Sequence, residues 1–186
     1  MLNKSVLDLI GNTPIVKLNN IIAPSSASIY VKLEYMNPGG SVKDRPALWM
    51  IKRAEEKGIL KSGMKVVEVT SGNTGISLAM ICALKGYKVT CIIGYEASQE
   101  KIRLLEIMGV NVIKIPSEWL KRNPNIAFEV ARKIAKEKGV YYINQHESLF
   151  NIEAHYYTTA KEIWEQMKGK MTSSLQVWVR VGPSLV

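Results

Sequence analysis

The chain has 186 residues, 47% of them hydrophobic, and a formal net charge of +9. This length and composition suffice for one sizeable hydrophobic core, and no apolar run approaches the roughly 20 residues that span a bilayer. Lys and Arg are mixed with acidic residues along predicted helices, as in KRAEEKG from Lys52, so the positive charge does not indicate a nucleic-acid partner.

Two β-like stretches, PIVKL from Pro14 and SIYVKLEY from Ser28, precede a repeated pattern of helix, glycine and strand. Helices are predicted at about 44–57, 75–85, 99–108 and 126–138, and each leads through a glycine into one of the strands KVVEVT, YKVTCII, VNVIKI and VYYIN. A long helix at about 151–168 and a last strand, SLQVWVRV, follow. The alternation predicts a doubly wound α/β fold, in which helices cover both faces of a parallel sheet.

The motif NPGGSVKDR places Lys43 directly after a Pro-Gly-Gly-Ser turn and directly before a predicted helix. Gly39 and Gly40 permit unusual backbone dihedrals, and Ser41 can cap the helix. A lysine held in this way and partly desolvated can lose its proton near neutral pH and attack carbonyl compounds. The alternative is an exposed lysine at a helix start, as most lysines are solvated.

A second motif, TSGNTG from Thr70, follows the strand KVVEVT and opens the next helix. Free backbone N–H groups and the helix dipole attract anions at such a position. Gly72 and Gly75 let the backbone approach a ligand closely. The same run equally fits an ordinary turn that caps a helix, and only the presence of Lys43 favours a binding site.

The two motifs resemble those of the cysteine synthase and cystathionine β-synthase family, fold type II enzymes that use pyridoxal phosphate (PLP). The resemblance begins with GNTPIVKL at Gly11 and resumes after TSGNTGISLA at SQEKIRLLEIMGVNVI and at NQHESLFNIEAHYYTTAKEIW. It covers the chain up to about Val181. It implies PLP as cofactor and a β-replacement reaction, in which an O-activated serine and sulfide give L-cysteine.

The resemblance also implies a role for each motif. Lys43 would hold PLP as a Schiff base and act as the base at the substrate α-carbon. The 70–75 loop would bind the substrate carboxylate together with Gln145, which on sequence alone equally fits a surface amide. The expected cofactor-binding residues are Lys43, Asn73, Gly182 and Ser184, and the expected substrate-binding residues are Thr70, Ser71, Gly72, Asn73, Thr74 and Gln145.

The chain departs from the family near its C-terminus. The family's phosphate-binding loop, commonly GTGGT or GPSGT, begins at Gly182 but is not completed before Val186, and the residue that faces the pyridine nitrogen is absent. Arg180 replaces a residue that is usually small, and HESLFN beside Gln145 lacks the usual proline. We therefore expect a truncated version of a complete enzyme.

The resemblance predicts a particular domain organisation. A complete small domain would comprise residues 1–14 and 36–145, and a partial larger cofactor-binding domain would comprise residues 15–35 and 146–186. The missing part should leave apolar faces of PIVKL, SIYVKL and LQVWV uncovered. A homodimer is expected for the folded protein.

The remaining reactive side chains indicate no metal site. His146 and His155 are too few and too poorly accompanied for a metal or a catalytic triad. Cys82 and Cys91 lack metal-ligand spacing and are expected to be buried thiols. The start MLNKSVLDLIGNTP lacks the apolar stretch of a signal peptide, so a cytoplasmic location is expected.

Three other functions remain open from the sequence. The chain could be an inactive remnant or an interaction module of the same family, or it could have an activity like that of cystathionine β-synthase or threonine dehydratase. The SVKDR form and the EAHYYTTAKEIW stretch favour the cysteine synthase side. A basic nucleic-acid binder ranks last, and it would show strongly salt-dependent retention on DNA.

Overall fold

The computed structural model describes residues 5–20, 27–70, 72–94 and 97–174. A 3₁₀ turn at Val6–Leu9 precedes the strands β1 (Ile15–Lys17) and β2 (Tyr30–Lys32), which pair antiparallel in a sheet of their own. The two predicted β-like stretches are therefore confirmed, although each strand is only three residues long. Val16, Tyr30 and Val31 are 40%, 45% and 39% exposed, in agreement with the uncovered apolar faces expected for these stretches, whereas Ile15 is half-buried.

A second 3₁₀ turn at Glu34–Met36 leads into the main α/β unit. Its elements, in chain order, are α1 (Asp44–Glu56), β3 (Lys65–Val69), α2 (Asn73–Lys85), β4 (Lys88–Gly94), α3 (Gln99–Ile107), β5 (Asn111–Ile115), α4 (Ser117–Arg122), α5 (Ile126–Ile134), β6 (Val140–Tyr142), α6 (Leu149–Ala154) and α7 (Lys161–Gln166). A π-helical turn at His155–Ala160 joins α6 to α7.

Strands β3 to β6 form one parallel sheet in the order β5-β4-β3-β6. Residues that alternate along β3 enter two different hydrophobic clusters: Val66 packs with α1, α2 and α3, whereas Val67 packs with α5. Helices therefore cover both faces of the sheet, and the predicted doubly wound α/β fold is confirmed.

Three details of the predicted elements are wrong. Helix α5 ends at Ile134 and not near 138, because the N–H groups of Lys136 and Glu137 bond carbonyls three residues back and tighten the last turn. The long C-terminal helix is widened in its middle, where the Thr158 hydroxyl bonds the Ala154 carbonyl at 2.6 Å. Helix α4 was not predicted. The predicted last strand, SLQVWVRV, covers residues 174–181, and all of it but the first residue lies outside the described residues.

A buried ion network connects α1 to β2 and α7. The Arg45 side chain is 1% exposed, and its guanidinium lies 2.7 Å from Glu34 Oε2 and 2.6 Å from Glu162 Oε1. Lys32 Nζ lies 2.9 Å from the other carboxylate oxygen of Glu162. Burial opposes ionisation of Glu162, but hydrogen bonds from Arg45 and Lys32 outweigh it and lower the pKa of this carboxyl to about 2.

The network should make the fold sensitive to the charge of Glu162. Glu162→Gln leaves the buried Arg45 with one carboxylate partner fewer, and we expect a loss of about 3 kcal/mol in unfolding free energy near neutral pH. Because the folded-state pKa of Glu162 lies below its ordinary value of 4.5, its contribution is present above that value and is lost as the pH falls toward about 2.

Urea unfolding at a series of pH values checks this prediction. The free energy of unfolding should fall more steeply with acid in the wild type than in Glu162→Gln. The matched control is Glu165→Gln on the same helix. Among the described residues its carboxylate makes only an exposed 3.9 Å pair with Lys161, and it should contribute less than about 1 kcal/mol. Equal stabilities of the two variants would contradict the prediction.

Candidate functional site

Lys43 stands at the junction between a glycine turn and α1, with its side chain half-buried. The turn is fixed by the carboxyl of Asp44, which is fully buried and accepts the Gly39 N–H at 2.5 Å. A Cβ on Gly39 would collide with that carboxyl, and Gly40 has φ +78°. The Ser41 hydroxyl accepts the Lys43 N–H at 3.2 Å, whereas the cap position of α1 is Lys43 itself.

The Asp44 carboxyl also joins the two sequence motifs. Ser77 Oγ, in the second turn of α2, lies 2.5 Å from Asp44 Oδ1 and 3.0 Å from the carbonyl oxygen of Asn73. Both Asp44 and Ser77 are fully buried. The residue next to Lys43 is thus held against the second turn of α2, and through Ser77 it is linked to Asn73 of the second motif.

The 70–75 loop connects the carboxyl end of β3 to the start of α2. Thr70 is buried, and its hydroxyl accepts the Gly72 N–H at 3.3 Å. The backbone N–H groups of Asn73 and Thr74 have no acceptor within the described residues, and the Asn73 side chain is exposed. A helix start of this kind attracts anions. Ser71 lies outside the described residues.

Gln145, which follows β6, reaches the same helix start. Its Oε1 accepts the Thr74 hydroxyl at 2.7 Å, and its Nε2 lies 3.4 Å from the Val69 carbonyl oxygen. Asn151 donates to the Gln145 carbonyl at 2.8 Å. The side chain is therefore held against the start of α2 and is not a free surface amide.

Two histidines that the sequence did not connect with the site lie near Lys43. Burial lowers the pKa of both His146 and His155, and the positive charge of Lys43 lowers each further. His146 packs edge-on against Phe128, with ring centroids 5.5 Å apart, and His155 Nδ1 lies 3.0 Å from the Thr159 hydroxyl. They stand 103 and 112 residues after Lys43 in the chain, so no local pattern indicates this proximity.

Glu68 is a further residue that the sequence analysis missed. It lies in β3, two residues before Thr70, and is fully buried. Burial raises the pKa of its carboxyl to about 8, although hydrogen bonds from backbone N–H groups oppose the shift. The available signal was a single acidic residue among the three valines of the strand KVVEV.

The described part of the site combines a half-buried primary amine with open backbone N–H groups and a glutamine amide. These groups fit the aldehyde and ring end of PLP and the carboxylate of an amino acid, and Lys43 and Asn73 are the described residues that could contact the cofactor. The other two expected cofactor-binding residues, Gly182 and Ser184, lie outside the described residues.

Other features of the described residues carry no sign of different chemistry. Cys82 and Cys91 are free and buried as expected, and burial raises the pKa of each thiol to about 12. Between residues 5 and 174, apart from the gaps at 21–26, 71 and 95–96, no group of three or more His, Cys, Asp or Glu could hold a metal ion. No helix in this part is long and apolar enough to cross a membrane.

The fold and the site define an α/β protein in which a half-buried lysine stands at the turn bound to α2, a helix whose start attracts anions at the carboxyl end of a parallel sheet. Residues 6–183 match the family described as pyridoxal-phosphate dependent enzyme. The chain belongs to this family, whose cofactor is PLP, and the resemblance to cysteine synthases is confirmed at the family level.

Individual relatives agree with this assignment. The chain is 43% identical to a cysteine synthase of Staphylococcus aureus over 182 residues, which is 97% of this chain and 57% of the relative. It is 46% identical to the cystathionine beta-synthase of Apis mellifera over 171 residues, which is 89% of this chain and 34% of the relative.

The crystal structure of a hydrogen sulfide-producing enzyme from Fusobacterium nucleatum is also similar, with a TM-score of 0.82 at 44% identity. The match covers 90% of this chain and 54% of that one. The chain thus spans about half the length of these relatives, or less.

The contact between Asp44 and Ser77 should contribute measurably to stability. Ser77→Ala removes a buried hydroxyl and leaves one Asp44 oxygen without its donor, so we expect a loss of about 1–3 kcal/mol in unfolding free energy. Chemical denaturation monitored by tryptophan fluorescence measures the loss. Ser117→Ala in α4, whose hydroxyl makes no side-chain hydrogen bond to the described residues, is the control and should change little. Equal losses would contradict this account of the contact.

Proposed function

We propose that this protein catalyses a PLP-dependent β-replacement on an O-activated serine, with sulfide as nucleophile and L-cysteine as product. The observation that carries the proposal is the contact between Asp44 and Ser77, because it brings the lysine turn and the anion-attracting start of α2 together. The cysteine synthase relative supports this reaction type. PLP, when bound, would withdraw electrons from the substrate α-carbon and so ease loss of its proton.

Lys43 would serve two purposes in this reaction. Its amine would hold the cofactor covalently and, once displaced by the substrate amine, would take the α-proton. A base must lie within reach of the proton it removes, and the buried Asp44 carboxyl restricts the turn that carries Lys43. The backbone that carries the amine would therefore stay in the same position through each displacement.

The start of α2 would orient the substrate. The N–H groups of Asn73 and Thr74, together with the Thr70, Ser71 and Gln145 side chains, would bind the substrate α-carboxylate. Fixing the carboxylate fixes the α-carbon relative to the lysine, which lowers the entropic part of the barrier. In this proposal, Asn73 also contacts the cofactor, and Gly182 and Ser184 contribute to the phosphate site.

We also propose the two-domain division given above. In its support, the strands β1 and β2 form a sheet separate from the parallel one. Lys32 on β2 bonds Glu162 and Gln166 in α7, each at 2.9 Å, so the described part of the separate sheet associates with α7. The homodimer and the cytoplasmic location stay predictions.

A second candidate is a cystathionine β-synthase-like reaction, favoured by the 46% identity with the Apis mellifera relative. The two reactions differ in the nucleophile, which is sulfide in one and the thiol of an amino acid in the other. Incubation with each nucleophile in turn, followed by amino-acid analysis, distinguishes them.

The test of the cofactor site is retention of PLP. Wild-type protein incubated with PLP and desalted should keep a visible Schiff-base absorption band, and Lys43→Ala should lose it because no other described amine stands in this turn. Lys61→Ala, which removes an exposed loop lysine, is the matched control and should retain the band. If wild type and Lys43→Ala lose PLP alike, the proposed function fails and the chain is an inactive remnant.

The carboxylate pocket is tested by Gln145→Glu. A negative charge beside the helix start should repel the substrate carboxylate, and we expect KM for the O-activated serine to rise by roughly 10- to 100-fold, equivalent to about 1.4–2.8 kcal/mol. Steady-state kinetics with sulfide measures this. Glu147→Gln, two residues away and exposed, is the control. An unchanged KM would show that Gln145 does not face the carboxylate.

A further inference from the structure

Glu68 stands out because a carboxyl occupies a place where the sheet otherwise holds apolar side chains. It is fully buried, on the same face of β3 as Val66, and its partner in the register with β4 is Cys91. Moving a carboxyl from water into such a position is costly unless its oxygens are hydrogen-bonded. The cost suggests that the carboxyl makes contacts that Val, Ile or Leu could not make.

Both oxygens of Glu68 accept backbone N–H groups. Oε1 lies 2.9 Å from the Val69 nitrogen, and Oε2 lies 3.2 Å from the Gln145 nitrogen. The second contact joins residues 77 positions apart in the chain. The preceding hydrogen bond between these two segments runs from the Ile143 N–H to the Val67 carbonyl, and the contact of Glu68 with Gln145 extends the association of β3 with the β6 segment beyond it. A glutamine side chain at this position would have only one oxygen that can accept a hydrogen bond. Two N–H donors bound to two different oxygens therefore require a carboxyl group.

We propose that Glu68 is a positioning residue that holds Gln145 against Thr74, and so sets the geometry of the carboxylate pocket. This role in the pocket rests on the proposed function. Glu68 fixes the Gln145 backbone, and the Gln145 side chain, placed by that backbone, accepts the Thr74 hydroxyl at 2.7 Å. Because Glu68 is fully buried, it acts through Gln145 and does not touch the substrate.

Hydrogen exchange measured by NMR distinguishes a positioning role of Glu68 from a general contribution of Glu68 to stability. Glu68→Gln replaces one carboxyl oxygen by an NH₂ group that cannot accept a hydrogen bond, and the longer contact, 3.2 Å from the Gln145 nitrogen, should be the one that is lost. The Gln145 amide should then exchange at least about tenfold faster relative to the Ile143 amide. The control Val66→Ala lies on the same face of the same strand and does not contact Gln145. It should leave the ratio of the two exchange rates unchanged. Equal acceleration of both amides in Glu68→Gln would overturn the proposal.

A second measurement needs no variant and keeps the proposal testable if Glu68→Gln does not fold. The amide resonances of Val69 and Gln145 in the wild type should shift together with pH, with one common midpoint near the Glu68 pKa of about 8. Other titratable groups around Glu68 are Cys91 on β4 and Tyr141 and Tyr142 on β6, and burial raises the pKa of all three. The proposal would be overturned if the Gln145 amide resonance did not shift with pH at the same midpoint as the Val69 amide resonance.

Steady-state kinetics provide a third test, which depends on the proposed function. Where wild-type protein retains PLP, Glu68→Gln should raise KM for the amino-acid substrate by roughly tenfold while kcat changes by less than about threefold, because the pocket and not the base is disturbed. A fall in kcat at constant KM would overturn the pocket role. If PLP is not retained, the proposed function fails, and the exchange ratio and the titration alone decide whether Glu68 positions Gln145.

Discussion

The buried carboxyl of Asp44 is the constraint on which the site depends. It accepts a backbone N–H of the glycine turn with one oxygen and faces the Ser77 hydroxyl with the other, so it ties the turn to α2. Without this contact, Lys43 would stand on an unsupported turn at the end of a helix. A polar or charged group that is fully buried, as Asp44 is, needs hydrogen-bond partners to offset the cost of its burial. Because the partners of Asp44 lie in the turn and in α2, the geometry of the turn and the position of α2 depend on each other.

The fold could be predicted from the sequence because its signals are local and repeated. Each of the first four predicted helices is followed by a glycine, at 58, 86, 109 and 139, with φ between 68° and 81°. Such a residue favours the end of a helix, and the apolar runs that follow favour buried parallel strands. The errors concern details set by particular hydrogen bonds. The widened turn before α7 depends on one threonine hydroxyl, and helical periodicity does not reveal it.

The site could be predicted only in part, for a similar reason. Lys43 and the 70–75 loop belong to contiguous motifs, whereas the neighbours of Lys43 come from distant segments. His146 and His155 reach it only after β6 has paired with β3, and a single sequence contains no record of that proximity. Glu68 was visible as an acid in an apolar strand. Its partner Gln145, however, becomes apparent only when the strands are adjacent.

Three consecutive residues at the start of α1 point to three different parts of the molecule. Lys43 lies near His146 and His155. Asp44 binds α2, and Arg45 binds Glu162 in α7. Successive side chains on a helix project about 100° apart, so three consecutive residues can contact three different parts of the protein. The separate sheet of β1 and β2 reaches the same turn through Lys32, which shares Glu162 with Arg45.

This arrangement has a consequence for the site. Arg45 and Asp44 are both buried and both bonded to elements outside α1, so α1 cannot rotate or slide without breaking ionic or hydrogen-bonded contacts on two sides. Breaking a buried contact of this kind is costly because it leaves a polar group unpaired in a medium of low polarity. The position of the Lys43 backbone is therefore determined from both sides, by α2 and by α7. The amine keeps the freedom of a flexible side chain, which a lysine needs if it is to release a cofactor and then take a proton.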